Sequence, residues 1–424
     1  MFKLTCKIRI GQHFFTDVNE VKVKRSIYSF VDTATIRIPT SAVLYKTGEL
    51  TTASILEPGD NTRSGKSAFS EEVMERAARR VAEKTGSFFK VGDAVEIWLG
   101  YDDENELEFE GFVSRIDFTT PCVIECEGYS WQLRNKVITQ EFPALKKLQE
   151  YREKDPTYEN PPKTTVKDVL NFIRQGTDIV LSDKIPNIPL VKMSFNGETG
   201  LEALEKLKRE AFVTIYFNGP ELYAGLKDLQ PGKQAVRNEN RKWTGKRFEP
   251  LKYKEIKDPV RYGIGLNLVS SEQLRYRKAI DAPLKVRVIH FTNRNVAEEV
   301  TVGERGDIRT FYVPDVDPDK ELKGPKGSKE LKGLKEVALK RLKELSYDGY
   351  DGKVTAFLQP FSAPGFAVSL RDRNYNDRDG VYVLDSTEVT FGTGGARRVC
   401  GIGDKISKKD EQTTGTTGTG AKKA

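Results

Sequence analysis

The chain has few of the residues on which most catalytic and metal chemistry depends. Its 424 residues include only two histidines, His13 and His290, and four cysteines. Neither histidine has a cysteine or histidine neighbour at metal-ligand spacing, which disfavours a zinc site and histidine-based acid–base catalysis. Four cysteines are too few for a disulfide framework. No apolar run approaches the length that a membrane-spanning helix requires.

Two of the cysteines, Cys122 and Cys126, lie four residues apart in the β-patterned run P-C-V-I-E-C-E-G. Strand alternation places both side chains on one face. They are then roughly 13 Å apart, too far to share a metal ion or a disulfide. We expect small, buried apolar side chains at both positions.

The composition is 38% hydrophobic and 31% charged, with a formal charge of +7. This balance is typical of an extended protein of two to four domains with much exposed surface. Acidic and basic residues are interleaved, as in 329–344, which favours a solvated helix face over a nucleic-acid footprint. The N-terminus alternates apolar and polar residues, which predicts a strand rather than a signal peptide. We therefore expect a soluble protein that is made in the cytoplasm.

One strand pattern occurs twice. F-K-V-G-D-A-V-E-I and G-F-V-S-R-I-D-F-T-T stand in the first half, and S-A-P-G-F-A-V-S-L and Y-V-L-D-S-T-E-V-T-F-G-T-G-G stand in the second. Gly92 and Gly365 are followed by the same spacing of aliphatic residues. Phe118 precedes Gly128 by the same interval as Phe391 precedes Gly401. We expect residues 89–128 and 361–401 to superpose as barrels of one fold; chance similarity of two hairpins is the alternative.

Residues 1–145 predict a first tube-like β-barrel domain. Strands are indicated at Lys3–Ile10, Ser26–Ile38, Ala94–Gly100, Glu106–Phe118 and Val123–Gly128. An insertion at about 39–87 interrupts them. It combines a polar loop with a helix whose N-cap is Ser70 and whose stop is Gly86.

A charged linker at 146–163 precedes a small α+β domain at 164–230. Apolar residues at Val166, Val169 and Ile173 form one helical stripe, and Thr199 with Glu202 forms a capping box for a second helix. A strand around Leu190–Phe195 and a strand–turn–strand unit from Phe212 to Leu226 complete this domain.

Residues 231–404 predict a second tube-like β-barrel domain. It starts with a basic, turn-rich linker or exposed loop at 231–250, followed by strands that include Leu284–Thr292 and Asp307–Val313. A helix is indicated at 329–346, and the low-complexity tail 405–424 is expected to be disordered. The predicted class is α+β, mainly β, with helical insertions.

Several motifs resemble functional sites but fail on spacing. The loop Gly59–Ser67 has five residues between its glycines where a P-loop has four. In Asp315–Asp319, a calcium loop would require glycine and an acidic ligand where Lys320 and Lys326 stand. Aromatic and basic residues interleave in R-Y-G-I-G and in Leu274–Lys278, a pattern more typical of a strand than of a nucleic-acid platform.

Three carboxylates, Glu106, Glu108 and Glu110, alternate along one strand, and a glycosidase requires a carboxylate pair. Alternation predicts that they point outward while the apolar residues between them point inward. A solvated sheet edge is the preferred interpretation, and such a face could contact a basic partner. We therefore predict no catalytic, cofactor-binding or metal-binding residue and no enzyme activity.

The sequence resembles the hub protein of contractile phage baseplates, the late control protein D family. The motifs are F-K-V-G-D-A-V-E-I-W-L-G-Y-D, E-F-E-G-F-V-S-R-I-D-F, P-G-F-A-V-S-L and D-S-T-E-V-T-F-G-T-G-G-A-R-R-V, in order along most of the chain. The resemblance implies two tube-like barrels per chain and a homotrimer with six barrels in a ring. Such a ring joins a six-fold tail tube to a three-fold spike and bounds a central channel.

The resemblance also implies the partners and the location. They are tail tube or tube-initiator proteins, a tape measure protein, surrounding baseplate proteins and a separate spike, since no β-helical extension follows residue 402. The protein would be part of the virion, assembled in the host cytoplasm, without specific nucleic-acid binding. The alternatives are a hub of a related secretion-type or extracellular injection system, or a cell-wall polysaccharide-binding or cleaving protein.

Overall fold

The computed structural model describes residues 3–39, 42, 45–46, 89–143, 164–190, 193–211, 213–225, 232–238, 241–244, 247–281, 283–291, 297–313, 329–375 and 379–406. Several predicted features lie outside these residues: the loop Gly59–Ser67, the helix after Ser70, the linker 146–163, the run Asp315–Asp319 and the tail from residue 407. In the described residues, no helix is long and apolar enough to cross a membrane.

Eight strands form a first module. They are β1 (Leu4–Ile10), β2 (His13–Phe15), β3 (Glu20–Ser26), β4 (Thr33–Ile38), β5 (Tyr45–Lys46), β6 (Ala94–Tyr101), β7 (Glu104–Asp117) and β8 (Cys122–Glu127). They pair in the order β3-β4-β8-β7-β6-β1-β2-β5. Alternate apolar side chains from these strands, among them Ile8, Ile36 and Ile97, share one buried core, so the sheet curls around it.

A compact α+β unit follows a 3₁₀ turn at Tyr129–Leu133. It contains β9 (Val137–Phe142), β10 (Thr164–Thr165), α1 (Val166–Ile173), β11 (Val180–Leu181), β12 (Pro189–Leu190), β13 (Met193–Thr199), α2 (Gly200–Ala211), β14 (Thr214–Asn218) and β15 (Glu221–Gly225). Both helices begin with capping boxes, Thr165 with Asp168 and Thr199 with Glu202. Because β9 pairs with β13, this unit also takes in residues on the N-terminal side of 164.

A crossing segment, residues 232–256, contains β16 (Gly232–Val236) and β17 (Lys252–Ile256), which pair with each other. Its side chains Ala235 and Leu251 pack against Trp98 and Leu107 of the first module. The segment therefore covers the face of β6 and β7 that is turned away from the module core.

The second module begins with β18 (Val260–Gly263), β19 (Leu268–Ser270) and β20 (Leu274–Arg277). An inserted unit follows, with β21 (Leu284–Phe291), β22 (Ala297–Val302), β23 (Asp307–Val313) and α3 (Lys329–Leu345); it forms a separate three-stranded sheet under its helix. The module ends with β24 (Gly349–Ala356), β25 (Ala367–Arg371), β26 (Gly380–Gly392) and β27 (Gly395–Lys405). The mainly β class and the helix near 329–346 are thus confirmed.

The two modules repeat one arrangement of strands. In chain order, β4, β6, β7 and β8 correspond to β24, β25, β26 and β27, with the same antiparallel neighbours. The local hydrogen bonds also correspond: the amide of Gly92 donates to the carbonyl of Val113, and the amide of Gly365 donates to that of Leu384. Each long strand then has a bulge directly after this residue. The repeat around Gly92 and Gly365 is therefore real.

The second half of the expected repeat is wrong. Phe118 lies beyond the end of β7 and is 65% exposed, whereas Phe391 lies inside β26 and is buried. Gly128 follows β8, whereas Gly401 lies within β27, opposite Ser386. The hairpin of β26 and β27 is longer than that of β7 and β8, so equal intervals in sequence do not mark equivalent positions.

The modules differ in the strand that pairs with the outer edge of β6 or of its counterpart β25. Among the described residues, no strand pairing closes either module. β1 runs antiparallel to β6, whereas β18 runs parallel to β25. Within the described ranges, all strands of both modules belong to one continuous 15-stranded sheet instead of two separately closed barrels. The modules are barrel-like sheets, each curled over its own core.

Candidate functional site: the junction of the two modules

The modules are joined by a β ladder. The second half of β26 pairs antiparallel with β3 from Ser386 opposite Ser26 to Gly392 opposite Glu20, while its other side pairs with β27. An ion pair between Lys24 and Glu388, with 3.4 Å between Nζ and Oε1, crosses this ladder. Main-chain hydrogen bonds thus extend without a break from one module into the other.

A buried ion pair lies at this junction. Glu108 of β7 is 3% exposed, and its carboxylate accepts a hydrogen bond from the fully buried guanidinium of Arg398 in β27. Arg398 also donates to the carbonyl of Pro360, at 3.1 Å. A side chain of the second module therefore neutralises a charge that the first module buries.

The position of Glu108 contradicts the expected solvated carboxylate face. Alternation does place it on the face opposite the core of the first module, but the second module covers that face. Burial raises the pKa of the Glu108 carboxyl above its usual value, and the adjacent Arg398 guanidinium opposes the rise.

Glu110 is also enclosed. Its two carboxylate oxygens accept hydrogen bonds from the hydroxyls of Tyr129, at 2.7 Å, and Tyr253, at 2.6 Å. Burial raises the pKa of Glu110, although both hydroxyl bonds act in the other direction. Because Tyr253 belongs to the crossing segment, this carboxylate fixes that segment to β7.

A third acidic residue, Glu96 of β6, binds two arginines. The guanidinium of Arg241 lies 2.6 and 2.7 Å from its carboxylate oxygens, and Arg9 of β1 lies 3.2 Å away. Arg241 and Phe248 are buried, so the expectation of a linker or exposed loop at 231–250 is wrong at these two residues, whereas 236–238 are exposed as expected. Three basic residues of this segment, Arg241, Lys233 and Arg247, form ion pairs with Glu96, Glu221 and Asp178 of the same chain.

The arrangement of these charged side chains holds segments of the chain together. Each of the three carboxylates is bound by an arginine or by tyrosine hydroxyls within the described chain. Among the described residues, no group of three or more His, Cys, Asp or Glu side chains is placed to hold a metal ion. The chemistry of this junction is charge neutralisation and hydrogen bonding.

The other candidate residues lie apart from the junction. Cys126 is buried and Cys122 half-buried, both against the core of the first module, and both are free thiols. His13 is in β2 and His290 is in β21 of the inserted unit. The basic–aromatic runs are strands, β18 and β20, as the simpler interpretation predicts.

The sequence patterns do not predict a role for Arg398 and Arg241, two of the three arginines that bind the buried carboxylates Glu108 and Glu96. For Arg398 a signal exists, because Ala396, Cys400 and Ile402 at alternate positions of β27 are all buried. Alternation therefore places Arg398 inside as well. Arg241 has no comparable pattern, since it lies outside the strands β16 and β17 of the crossing segment.

No protein-family profile matches this sequence, and no curated protein matches it. Solved structures similar to this chain include the 43 kDa tail protein of prophage MuSo2 from Shewanella oneidensis (12% identity, 94% of this chain and 98% of that one, TM-score 0.47). Another is a tail protein from Neisseria meningitidis MC58 (11% identity, 96% and 97%, TM-score 0.48).

A third similar structure is the Escherichia coli c3393 protein, described as a component of the type VI secretion system with structural similarity to the T4 tail proteins gp27 and gp5. Its identity to this chain is 8%, over 94% of this chain and 76% of that one, with a TM-score of 0.39.

Proposed function

We propose that this chain is the structural hub of a contractile phage tail baseplate. Three copies would form a ring that joins the six-fold tail tube to the three-fold central spike and bounds the central channel. The observation that carries the proposal is the repeat of one module within one chain, with matching strand order, hydrogen bonds and bulges. Three copies of such a chain present six similar modules around one axis.

The order of motifs along the chain supports the same role. The segments that resemble the late control protein D family map onto β6, β7, β25, β26 and β27, the strands that define the repeat. The proposed partners are accordingly tail tube or tube-initiator proteins, a separate spike protein, the tape measure protein and neighbouring baseplate proteins. The proposed location is the virion, after assembly in the host cytoplasm.

The same architecture suits a hub of a related secretion-type or extracellular injection system. Neighbouring genes distinguish the two, since a complete set for the head and for DNA packaging indicates a virus. The buried state of Glu108 and Glu110 weighs against a cell-wall hydrolase, because carboxylates occupied by Arg398 and by two tyrosines do not meet a polysaccharide.

The test is the mass of the particle in solution. We expect mass photometry to show three times the mass of the single chain, alone or after addition of the tube and spike proteins of the same gene cluster. Image averages of the particle should then show three-fold or pseudo-six-fold symmetry. A strict monomer both alone and with those partners would contradict the proposal.

A further inference from the structure

The ladder inside the chain provides a template for a contact between chains. One edge of β26 pairs with β27, and the other edge pairs with two different strands. On that other edge, the first half, Gly380–Val383, pairs with β25, and the second half pairs with β3 of the first module. The exposed ion pair of Lys24 and Glu388 accompanies the second contact. Each second module thus presents the end of a long strand to a strand of a first module.

The corresponding half of β7 is open. β6 pairs with β7 only as far as Phe112, while β8 continues on the other side to Asp117. Within the described ranges, no strand pairs with Arg115–Asp117 on the side of β6. Phe118, which follows, is 65% exposed. The open edge of β7 corresponds to the half of β26 that pairs with β3.

The strand that corresponds to β3 in the second module is β20. β3 pairs with β4, where Val23 stands opposite Ala34, and β20 pairs with the equivalent strand β24, where Leu274 stands opposite Gly352. Ala34 pairs with Cys126, and Gly352 pairs with Ile402; these partners are equivalent because they follow matching bulges. In the described part of the chain, the other edge of β20 pairs with no strand.

We propose that the open edge of β7 in one copy pairs antiparallel with the open edge of β20 in a second copy. This inference rests on the homotrimer of the proposed function and specifies how its copies are joined. If β7 and β20 pair in the same register as β26 and β3, Asp117 lies opposite Arg275, just as Glu388 lies opposite Lys24. The same register places Phe118 opposite Leu274, where Val389 stands opposite Val23.

The charges of the two open edges suit this pairing. In the internal contact, β26 contributes the acidic residue Glu388 and β3 contributes the basic residue Lys24. In the proposed contact, β7 likewise contributes an acidic residue and β20 a basic one. The register also brings Arg115 opposite Arg277, but both guanidiniums already have partners: Arg115 binds Asp117 at 2.9 Å, and Arg277 lies over the ring of Tyr347 at 4.4 Å. A head-to-tail contact of this kind generates a closed ring when its rotation closes.

A cysteine exchange experiment tests the contact directly. One preparation carries Phe118→Cys and a second carries Leu274→Cys, both with Cys122→Ser to remove the only native thiol that is not buried. After the two are mixed under mild oxidation, we expect a disulfide-linked pair of chains on a non-reducing gel. A chain with both cysteines should yield covalent trimers. The matched control pairs Phe118→Cys with Val337→Cys, an exposed position on α3, and should give no cross-link.

Charge reversal provides a second readout. Asp117→Arg and Arg275→Asp should each weaken the contact about tenfold, seen as a shift from trimer to monomer on dilution, and the double variant should recover it. Glu336→Arg on the exposed face of α3 serves as the control and should leave the trimer unchanged. Melting curves of all variants show whether the chain remains folded.

The outcomes separate the two proposals. Trimers that form no cross-link between positions 118 and 274, and that tolerate both charge reversals, would overturn this contact while the hub remains. Cross-linked open chains without a trimer would support the contact and contradict the ring. If a partner protein adds its own strand to β7, Phe118→Cys should form no disulfide with Leu274→Cys, and a maleimide–benzophenone probe on Phe118→Cys should photo-cross-link to that protein, which would also overturn the inference.

Discussion

Arg398 is 0% exposed and Glu108 is 3% exposed, and the ion pair between them joins the two modules. A buried pair of this kind adds little net stability compared with an apolar pair of similar volume. Removal of only one of the two charged side chains is costly, because the other charge then stays buried in a medium of low dielectric constant without a partner. The pair therefore acts more on the specificity of docking than on its strength.

The variant Arg398→Met tests this difference. It should lower the free energy of unfolding by about 3–5 kcal/mol because Glu108 is left buried and unpaired. The double variant Glu108→Leu with Arg398→Met should recover most of the loss. Urea denaturation measures both, with Arg397→Met on the other face of the same strand as the control. A double variant no better than the single one would contradict this account.

Asp32 gives the chain a predictable dependence on pH. It is buried beside Arg25, with 3.4 Å between Nε and Oδ2, and burial raises its pKa to about 6 although Arg25 opposes the rise. The folded state thus holds this proton more tightly than the unfolded state, whose pKa is near 3.8. The stabilisation from this proton is complete below about pH 4 and is lost as the pH rises through 6.

The comparison of wild type with Asp32→Asn isolates this group. The free energy of unfolding of wild type, relative to the variant, should fall by about 1–3 kcal/mol between pH 4 and pH 7. Thermal or urea unfolding across that range measures the difference. A difference that is flat with pH, or that rises with it, would show that Asp32 does not titrate as its surroundings imply.

The partners of single charges were the hardest feature to predict from the sequence. Alternation predicts that Leu107 and Phe109 both point inward, but a bulge between them turns Leu107 to the opposite face. The residue that pairs with Glu108 is 290 positions away. A local pattern contains no information on such a partner. The same holds for Glu96 and Arg241, which are 145 positions apart.

Strands and helices were predicted better, because their signals are local. β1, β6 and β8 and the helices α1 and α3 lie within a residue or two of their expected bounds. The predicted strand Ser26–Ile38 was wrong in one respect: the chain turns between β3 and β4, although Tyr28, Phe30 and Val31 in that turn have high strand propensity. The amide of Ile27 instead donates to Asp385 of the second module, at 2.9 Å.

The repeated glycines at the start of β6 and β25 are required by their backbone. Gly92 has φ of +92° and Gly365 has φ of +87°, and an added Cβ would lie 3.0 Å from the ring of Trp131 and 3.1 Å from the hydroxyl of Tyr216. Alanine at either position should therefore lower the free energy of unfolding by about 1–3 kcal/mol.

The control for these glycines is Gly394→Ala, a position where the added Cβ meets no atom within 4 Å and φ is not positive. It should change the stability by less than about 0.5 kcal/mol. Thermal melting of the three variants measures the comparison. Equal effects at all three positions would mean that the repeat does not depend on these backbone conformations.

The whole molecule should unfold with the two modules coupled. Unfolding of either module breaks both the β ladder between β26 and β3 and the ion pair between Glu108 and Arg398. All three tryptophans, Trp98, Trp131 and Trp243, lie outside β18–β27, so their fluorescence reports on the first half and the crossing segment. Hydrogen exchange of β27 peptides reports on the second module.

We expect these two probes to show the same urea midpoint in wild type, because loss of either module exposes the junction of the other. In the Arg398→Met variant, both midpoints should shift together. Midpoints that are already separate in wild type would show that the modules are independent folding units, joined by a ladder too weak to couple them.

The order in which the chain is made has a consequence for its folding. Translation delivers β3 and Glu108 long before β26 and Arg398, which lie in the last strands described. A nascent first module on the ribosome therefore has an unpaired strand edge at β3 and a carboxylate without its cation. Its final docked form becomes accessible only when residues up to about 398 have been released from the exit tunnel. Until that moment, the β3 edge is available to any other extended segment in the cell.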